Sequence, residues 1–326
     1  MWRSLAKYAR QQIVQSESSQ VESILELWYL RLLALTKLGL CQLASAEFEK
    51  LGDFERPELC DPNTQESLVP FELRVLFATL PVHLKYPTVA LERITLLIVY
   101  CKRMQIKKNK ATSSNSNKGD NGDIWEQREL QMYLVLATHL VHMKDFTAAA
   151  EVLSRVSKRA PDDLDILYSL GQLYLQMGDL KSASKVFQQA QNKYNNASNN
   201  DEQMGSSSEM KATDINKTFE SIAQGNWSKA RDSLETMNQH NDNPTMVNNL
   251  AVCELYLGNL SKAIKIIEDL ILKHPASAGI CETTLMNLCT LYELRYENSN
   301  QKKLELLKQV AAWVGDSFQP TCLKLQ

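Results

Sequence analysis

The sequence predicts an all-α fold, a solenoid of stacked helical pairs, and three observations lead to this prediction. A pattern of small and large residues recurs about every 34 residues. Each occurrence contains a turn signal between two apolar segments of helical length. No stretch of the chain shows the alternation that is typical of a strand, and nothing indicates a strand–helix–strand unit.

The clearest occurrence of the pattern begins at Leu164. Gly171 and Ala183 are small at the two points where antiparallel helices must cross closely. Gly178 and Asp179 supply a tight turn, because glycine accepts a positive φ and aspartate caps the next helix. The remaining positions of the pattern are Leu167, Leu170, Tyr174, Phe187 and Ala190. These are the signature positions of the tetratricopeptide repeat, a helix–turn–helix unit.

Other parts of the chain repeat this unit with varying fidelity. Residues 130–163 match in the same phase and end at Pro161, and the pattern returns from residue 244. A weaker unit starts near residue 212, and its turn is predicted to be one residue short. Further helical pairs are predicted from residues 25, 71 and 281. The chain is therefore predicted to be a right-handed superhelix of about six or seven pairs, each stacking on its neighbours.

Two polar segments interrupt the predicted array, at residues 107–123 and 192–210. Both are rich in Asn, Ser and Gly and too poor in apolar residues to order themselves, so we expect flexible inserts. The predicted organisation is N-terminal helical repeats at 1–106, two tandem repeats at 124–191, C-terminal repeats at 211–314 and a tail at 315–326. The first insert is expected to divide an N-terminal block from a C-terminal block.

Composition argues against several classes of protein. The formal net charge of −2 disfavours a nucleic-acid binder. The richest basic run, residues 102–110, is interpreted as a solvated loop edge, with contact to acidic lipid or an acidic partner as the alternative. Seven cysteines without a CxxC pair suit reduced cytosolic thiols. The first residues lack a signal-peptide core, and the apolar stretch 94–101 is too short to span a bilayer. We expect a soluble, intracellular chain.

The sequence contains no motif that predicts catalysis. Walker, GxGxxG, GxSxG, HExxH and kinase signatures are absent. His139 and His142 lie three residues apart but lack further ligands, so we interpret them as structural. Cys281 and Cys289 are interpreted as ordinary buried thiols. The prediction is a non-enzyme with no catalytic, cofactor-binding or metal site and no small-molecule substrate.

Side chains on the first helix of each pair are expected to line a concave groove. We predict partner contacts for Tyr29, Tyr168, Gln172, Gln176, Asn248, Leu255 and Tyr256. Lys37 is the single lysine among the predicted groove positions, so the groove lacks the cationic clamp that chaperone-binding repeats place on a peptide carboxylate. The mixture of amides, aliphatic residues and tyrosines favours a broad packed protein interface.

The C-terminal sequence adds a resemblance that the repeat pattern does not supply. The stretch Tyr292-Glu293-Leu294 with Ser299, Lys302 and Lys303 precedes Gly315-Asp316-Ser317-Phe318 and Cys322-Leu323-Lys324-Leu325. These motifs resemble the ending of the family of subunit twelve of the trafficking protein particle (TRAPP) complex. Residues 27–59, 69–81 and 140–156 are similar to other parts of that family. The family's long polar amino-terminal extension is absent here, so we expect a short form or a fragment.

This resemblance implies a non-catalytic scaffold subunit of a vesicle-tethering complex, the metazoan TRAPP III. Its direct partners would be other TRAPP subunits, with a Rab GTPase and membranes reached indirectly through the complex. The implied processes are transport from endoplasmic reticulum to Golgi and autophagy. The implied location is cytoplasmic, peripheral to the ER–Golgi intermediate compartment and Golgi membranes. No nucleotide-exchange residue is carried over, since the exchange site belongs to smaller core subunits.

Two alternatives stay open at this point. The chain could be a generic tetratricopeptide adaptor that binds linear peptides, such as a co-chaperone or a motor cargo adaptor. The tail could dock outward onto a partner through Phe318 and Leu323, or the same two residues could seal the last helical pair.

Overall fold

The computed structural model describes residues 1–17, 19–61, 67–112, 121–161, 163–200, 207–238 and 243–325. Within this part the chain forms fifteen α-helices and no strand, apart from an isolated bridge between Cys60 and Ser67. The prediction of an all-α tetratricopeptide-repeat solenoid is confirmed. The chain divides into two compact units, Met1–Arg159 and Ala160–Gln326.

Seven helices build the first unit. They are α1 (Trp2–Gln15), α2 (Val21–Lys37), α3 (Cys41–Leu51), α4 (Phe71–His83), α5 (Pro87–Thr112), α6 (Asn121–His142) and α7 (Phe146–Arg159). A short 3-10 turn at Pro57–Leu59 precedes α4. Three consecutive pairs follow α1, namely α2 with α3, α4 with α5 and α6 with α7.

Eight helices build the second unit. They are α8 (Leu164–Gln176), α9 (Leu180–Asn200), α10 (Ser207–Ala223), α11 (Trp227–Asn238), α12 (Pro244–Tyr256), α13 (Leu260–Lys273), α14 (Glu282–Arg295) and α15 (Ser299–Val310). A 3-10 turn at Pro320–Leu323 ends the tail. These helices make four consecutive pairs, so the described part of the chain contains seven pairs, as predicted.

The boundary between the units differs from the one expected from the polar inserts. It lies between Arg159 and Ala160 rather than at residues 107–123. The reason is that α5 and α6, on either side of the first insert, pack against each other within one unit. Residues 107–112 and 121–123 continue these helices, while 113–120 lie outside the described residues. Residues 192–200 and 207–210 are also helical, 201–206 are not described, and flexibility of either insert stays a prediction.

Small residues sit where the helices of a pair approach most closely. A Cβ placed on Gly171 of α8 would lie 2.3 Å from Cε1 of Phe187 on α9, well inside van der Waals contact. Ala183 is fully buried on the opposite helix. Ala251 and Ala263 are fully buried at the matching positions of α12 and α13. The glycine and alanines of the repeat therefore permit the backbones to pack closely.

Six of the seven pairs share one turn geometry. Its central residue has positive φ and is Gly39, Gly178, Gly225 or Gly258, or else Lys85 or Lys144. The residue after it donates its N–H to the carbonyl five residues earlier, as Asp179 does to Tyr174 at 2.9 Å, which satisfies a helix-end carbonyl. Residues 224–226 form this same three-residue turn, so the prediction of a shortened turn there is wrong. The repeat phase in α10 begins one residue earlier than the sequence suggested.

The tail packs into the core of the second unit. Leu323 is fully buried, and Phe318 packs against a cluster that includes Leu285, Leu288 and Leu306. The ammonium of Lys303, whose side chain is 3% exposed, donates to the Lys324 carbonyl at 3.0 Å. Of the two open alternatives, the tail therefore seals the last helical pair, and the interpretation of Phe318 and Leu323 as outward docking residues is corrected.

A buried carboxylate ties α12 to α13. Glu254 is fully buried and accepts hydrogen bonds from Lys262 Nζ at 2.6 Å and Asn259 Nδ2 at 2.7 Å. Burial alone would raise the pKa of Glu254, but these hydrogen bonds outweigh it and lower the pKa below the ordinary value of 4.5. The ion pair therefore contributes stability above that pH and loses it as the pH falls and Glu254 is protonated.

Replacing Gly171 with alanine tests the close crossing of α8 and α9. The added methyl group overlaps the ring of Phe187, so we expect a loss of about 1–3 kcal/mol in the free energy of unfolding. This loss is expected although alanine favours helix by about 1 kcal/mol over glycine. Urea unfolding measures it. In a Phe187→Leu background the same change is expected to cost less, and equal costs in both backgrounds would contradict the contact.

Replacing Lys144 with glycine tests the turn geometry. A non-glycine residue at φ 63° carries a steric cost of about 1–2 kcal/mol, which glycine removes at a smaller cost in chain entropy. We expect Lys144→Gly to stabilise the first unit by up to about 1 kcal/mol in thermal melting. The same substitution at Lys185, exposed inside α9, is the control and is expected to destabilise by about 1 kcal/mol. Equal destabilisation by both changes would refute the shared geometry.

Replacing Lys262 with alanine tests the buried carboxylate. Glu254 then keeps only Asn259 as a hydrogen-bond donor, and we expect a loss of about 2–3 kcal/mol at pH 7. Without the ammonium, burial raises the pKa of Glu254, so protonation relieves the buried charge and the deficit shrinks between pH 7 and pH 5. Urea unfolding at both pH values measures it. Lys265→Ala, exposed on the same helix, is the control, and a pH-independent deficit in Lys262→Ala would count against this account.

Candidate functional site

Two of the predicted groove residues on α8 make contacts within the second unit. The Tyr168 hydroxyl lies 3.2 Å from Thr213 Oγ1, and Gln172 Nε2 donates to Asn216 Oδ1 at 2.9 Å. Tyr168 is 6% exposed. The first helices of successive pairs therefore meet through polar side chains, and Tyr168 is a packing residue rather than a free partner contact.

The same arrangement recurs between α12 and α14. Asn287 Nδ2 donates to Asn248 Oδ1 at 3.1 Å, and Asn248 is buried. The prediction of a partner contact for Asn248 is corrected in the same way, because its side chain is buried and its Oδ1 accepts from the neighbouring repeat. Leu255, on the same helix, packs half-buried against the C-terminal core.

Helix α10 has a buried polar face that was not predicted from the sequence. Asn216, Thr218 and Ser221 are 3%, 2% and 6% exposed. Thr218 Oγ1 lies 2.9 Å from Ser233 Oγ on α11, and Thr218 stands at the position that is alanine or glycine in α4, α6, α8 and α12. In the corrected phase Thr218 occupies the position of Gly171. A polar residue at this signature position of the repeat is the feature of the sequence that could have predicted the polar face. Buried polar groups are normally hydrogen-bonded, and here Asn216 accepts from Gln172, Thr218 pairs with Ser233 and the Ser221 hydroxyl donates to the Lys217 carbonyl.

An aromatic pair stands at the surface of the second unit. The rings of Trp227 and Tyr256 stack in parallel, with centroids 4.0 Å apart and an interplanar angle of 3°. Tyr256 is 62% exposed although it is held by this stack. A rigid aromatic surface of this kind suits protein contacts, because little side-chain entropy remains to be lost on binding. Partner binding by Tyr256 stays a prediction, and the stack on Trp227 defines the orientation of its ring.

The remaining predicted residues differ in exposure. Gln176 is exposed at the end of α8. Tyr29, in the first unit, packs half-buried against a core that includes Leu25, Leu32 and Leu35. Gln176 and Tyr256 are therefore the members of the predicted set that the structure leaves exposed.

Arginine and aromatic side chains interleave in the first unit. The Arg74 guanidinium lies 4.6 Å from the centroid of Tyr100, and that of Arg128 lies 4.7 Å from Phe71 and 4.8 Å from Trp125. These cation–π contacts join α4, α5 and α6. Beside them is a cavity of about 510 Å³ that is also lined by acidic residues: Glu22, Glu26, Asp61 and Glu72.

The histidine and the two cysteines that were predicted to be structural differ in burial. His139 is buried, with Nε2 2.7 Å from the Pro87 carbonyl. Burial raises the pKa of the Cys289 thiol to about 11. Cys281 is exposed, so its interpretation as a buried thiol is wrong, because it precedes α14 at the surface. Among the described residues, no group of three or more His, Cys, Asp or Glu side chains is placed to hold a metal ion.

The described helices also bear on membrane insertion. In the parts of the chain that the structure covers, every helix is too short or too polar to cross a bilayer.

Comparison with known proteins supports the repeats and the family resemblance. The tetratricopeptide-repeat family matches residues 140–199 and 249–277. Trafficking protein particle complex subunit 12 of Homo sapiens is 33% identical over 325 residues, covering 94% of this chain and 43% of the human protein. The Mus musculus protein of the same name is 31% identical, and the match covers 94% of this chain and 40% of the mouse protein.

Solved structures of repeat proteins are similar at low identity. A tetratricopeptide repeat protein from Parabacteroides merdae is 10% identical, with a TM-score of 0.47 and coverage of 99% of this chain and 96% of that one. Yeast Tom70 is 14% identical, with a TM-score of 0.44 and coverage of 95% of this chain and 77% of the Tom70 chain.

The match to subunit 12 includes nearly the whole of this chain, whereas the chain spans about two fifths of the length of the two mammalian relatives. The family resemblance noted in the repeats and the tail is confirmed. The chain is therefore a tetratricopeptide-repeat protein and a homologue of trafficking protein particle complex subunit 12.

Proposed function

We propose that this chain is a non-catalytic scaffold subunit of a TRAPP vesicle-tethering complex. In this role it supports activation of a Rab GTPase in transport from endoplasmic reticulum to Golgi and in autophagy. It acts in the cytoplasm, at the surface of the ER–Golgi intermediate compartment and Golgi membranes. The observation that carries the proposal is homology to subunit 12 over 94% of the chain.

The surface of the second unit supports a role in protein contacts. Besides Tyr256, the exposed apolar side chains include Leu294, Leu304 and Trp313, which are 60%, 48% and 52% exposed. Large apolar and aromatic side chains are the residues that protein interfaces bury preferentially. Since the tail seals the last pair, docking is assigned to these outward side chains and not to Phe318 and Leu323.

The polar contacts between repeats disfavour the alternative of a peptide-binding adaptor. Such an adaptor needs free side-chain amides along its inner helices to bind an extended peptide backbone. Here the amides of Gln172 and Asn248 are already paired with Asn216 and Asn287. A scaffold that binds through exposed apolar surface does not need them.

Co-purification tests the proposed membership of the complex. The tagged full chain is expressed together with the other TRAPP subunits, and the affinity eluate is separated by size-exclusion chromatography. We expect the chain to elute with the complex in stoichiometric amount. Elution of the chain alone, with no TRAPP subunit retained, would refute the proposal.

Nucleotide exchange distinguishes a scaffold from a catalyst. Release of fluorescent GDP from a Rab GTPase is followed with the chain alone, with the complex and with the complex lacking the chain. We expect no acceleration by the chain alone. Acceleration by the pure chain would contradict a non-catalytic role.

A further inference from the structure

Helix α5 carries apolar side chains on its solvent face as well as on its buried face. Val89, Leu96, Val99 and Ile106 are 37%, 61%, 43% and 55% exposed. Their spacing of seven, three and seven residues places them on one side of the helix. The stripe extends about 25 Å at 1.5 Å per residue. We call these four residues the α5 stripe.

The buried face of α5 accounts for its place in the fold. Ala90, Ile94, Leu97, Ile98 and Cys101 are all below 9% exposed and pack within the first unit. The folding of this unit therefore does not need the α5 stripe, which is left without a partner in the described part of the chain. Apolar surface of this length on a helix is typical of a protein-binding site.

A cleft opens beside the middle of the α5 stripe. Its volume is about 250 Å³, and its lining combines Leu96 and Leu97 of α5 with three aromatic residues, Phe54, Phe77 and Tyr100. The rings of Phe54 and Phe77 meet edge to face with centroids 5.3 Å apart. This packing makes one wall of the cleft rigid and apolar, suited to an apolar anchor side chain of a partner.

On α5 itself, the exposed charged residues beside the α5 stripe are mainly basic. Arg103 and Lys107 are exposed on the same side of the helix, and Glu92 is the exposed acid among them. At the cleft, Arg93 stacks 4.0 Å from the Phe77 centroid and donates from Nη1 to the Phe77 carbonyl at 3.1 Å. Among the described residues, Arg93 has no carboxylate within ion-pair distance, which leaves its other N–H groups available.

Two acidic residues lie near the basic residues of α5. Asp53 and Glu55 also line the cleft, in the segment that follows α3. Because the basic residues are on α5, a partner's acidic side chains would face Arg93, Arg103 and Lys107 along the helix. An apolar side chain of the partner would enter the cleft. A second copy of the same face in parallel register would oppose arginine and lysine to arginine and lysine, which is unfavourable.

We propose that the α5 stripe and its cleft bind an acidic amphipathic helix supplied by another subunit of the complex. A single helix matches the width and the 25 Å length of the stripe and presents apolar residues every three or four positions. Its acidic edge pairs with Arg103 and Lys107. This inference rests on the proposed function, because the helix belongs to a partner within the TRAPP assembly.

Substitution of the α5 stripe tests the site in the assembled complex. The full chain carrying Leu96→Glu is co-expressed with the other subunits, and the fraction of chain retained by the complex is measured. We expect at least a tenfold loss of retention with an unchanged thermal melting curve, since Leu96 is exposed. Val14→Glu, at a residue 79% exposed on α1 of the same unit, is the matched control and is expected to be retained like the unmodified chain.

Charge reversal separates the electrostatic part of the contact. Arg103→Glu combined with Lys107→Glu is expected to weaken retention at low salt more than at high salt, because these exposed charges are screened. If the unmodified chain is not retained, the proposed function itself fails. If the unmodified chain is retained and Leu96→Glu is retained equally, the α5 site is refuted.

A photocrosslinking amino acid at Val99 identifies what covers the α5 stripe. In the assembled complex we expect crosslinks to an acidic, helical segment of another subunit. Crosslinks to a second copy of this chain would overturn the proposal. It would also be overturned if Leu96→Glu abolished binding to phosphatidylserine vesicles while leaving assembly intact, because that result assigns the stripe to a membrane.

Discussion

The close approach of two helices within each pair is the constraint on which the structure depends. Helices approach most closely where the side chains at the crossing are hydrogen or methyl, as at Gly171 and Ala183 or at Ala251 and Ala263. Once the crossing and the three-residue turn are set, the larger residues around them fill defined spaces. The apolar faces that remain are then buried by the next pair within the same unit.

The pair α10 and α11 meets this constraint with different chemistry. Thr218 stands at the crossing, and its hydroxyl pairs with that of Ser233. Asn216 extends the polar contacts to Gln172 of α8. These hydrogen bonds make the contact geometry specific, but they replace the apolar pattern by which a repeat is recognised. The tetratricopeptide-repeat matches accordingly end at residue 199 and resume at residue 249, on either side of this pair.

Most of the fold could be predicted because the repeat is a local pattern. Gly171 and Gly178 act on neighbouring residues, so their roles are visible in the sequence. The burial of Tyr168 and Leu323 could not be predicted, because it depends on contacts with α10 and with the C-terminal core. The α5 stripe was missed for a related reason. An apolar run such as 94–101 does not reveal which of its residues face the core, and the structure separates buried Ile98 from exposed Leu96.

Native-state hydrogen exchange of the full chain tests the central claim most directly. Amides flanking Gly171, Ala183, Ala251 and Ala263 are held by closely packed helices, so we predict slow exchange there. The pair α10 and α11, whose contact includes buried hydroxyl groups, is predicted to exchange faster than α12 and α13. Equally fast exchange across all pairs, or stronger protection of α10 than of α12, would contradict the claim that small-residue crossings hold the repeats together.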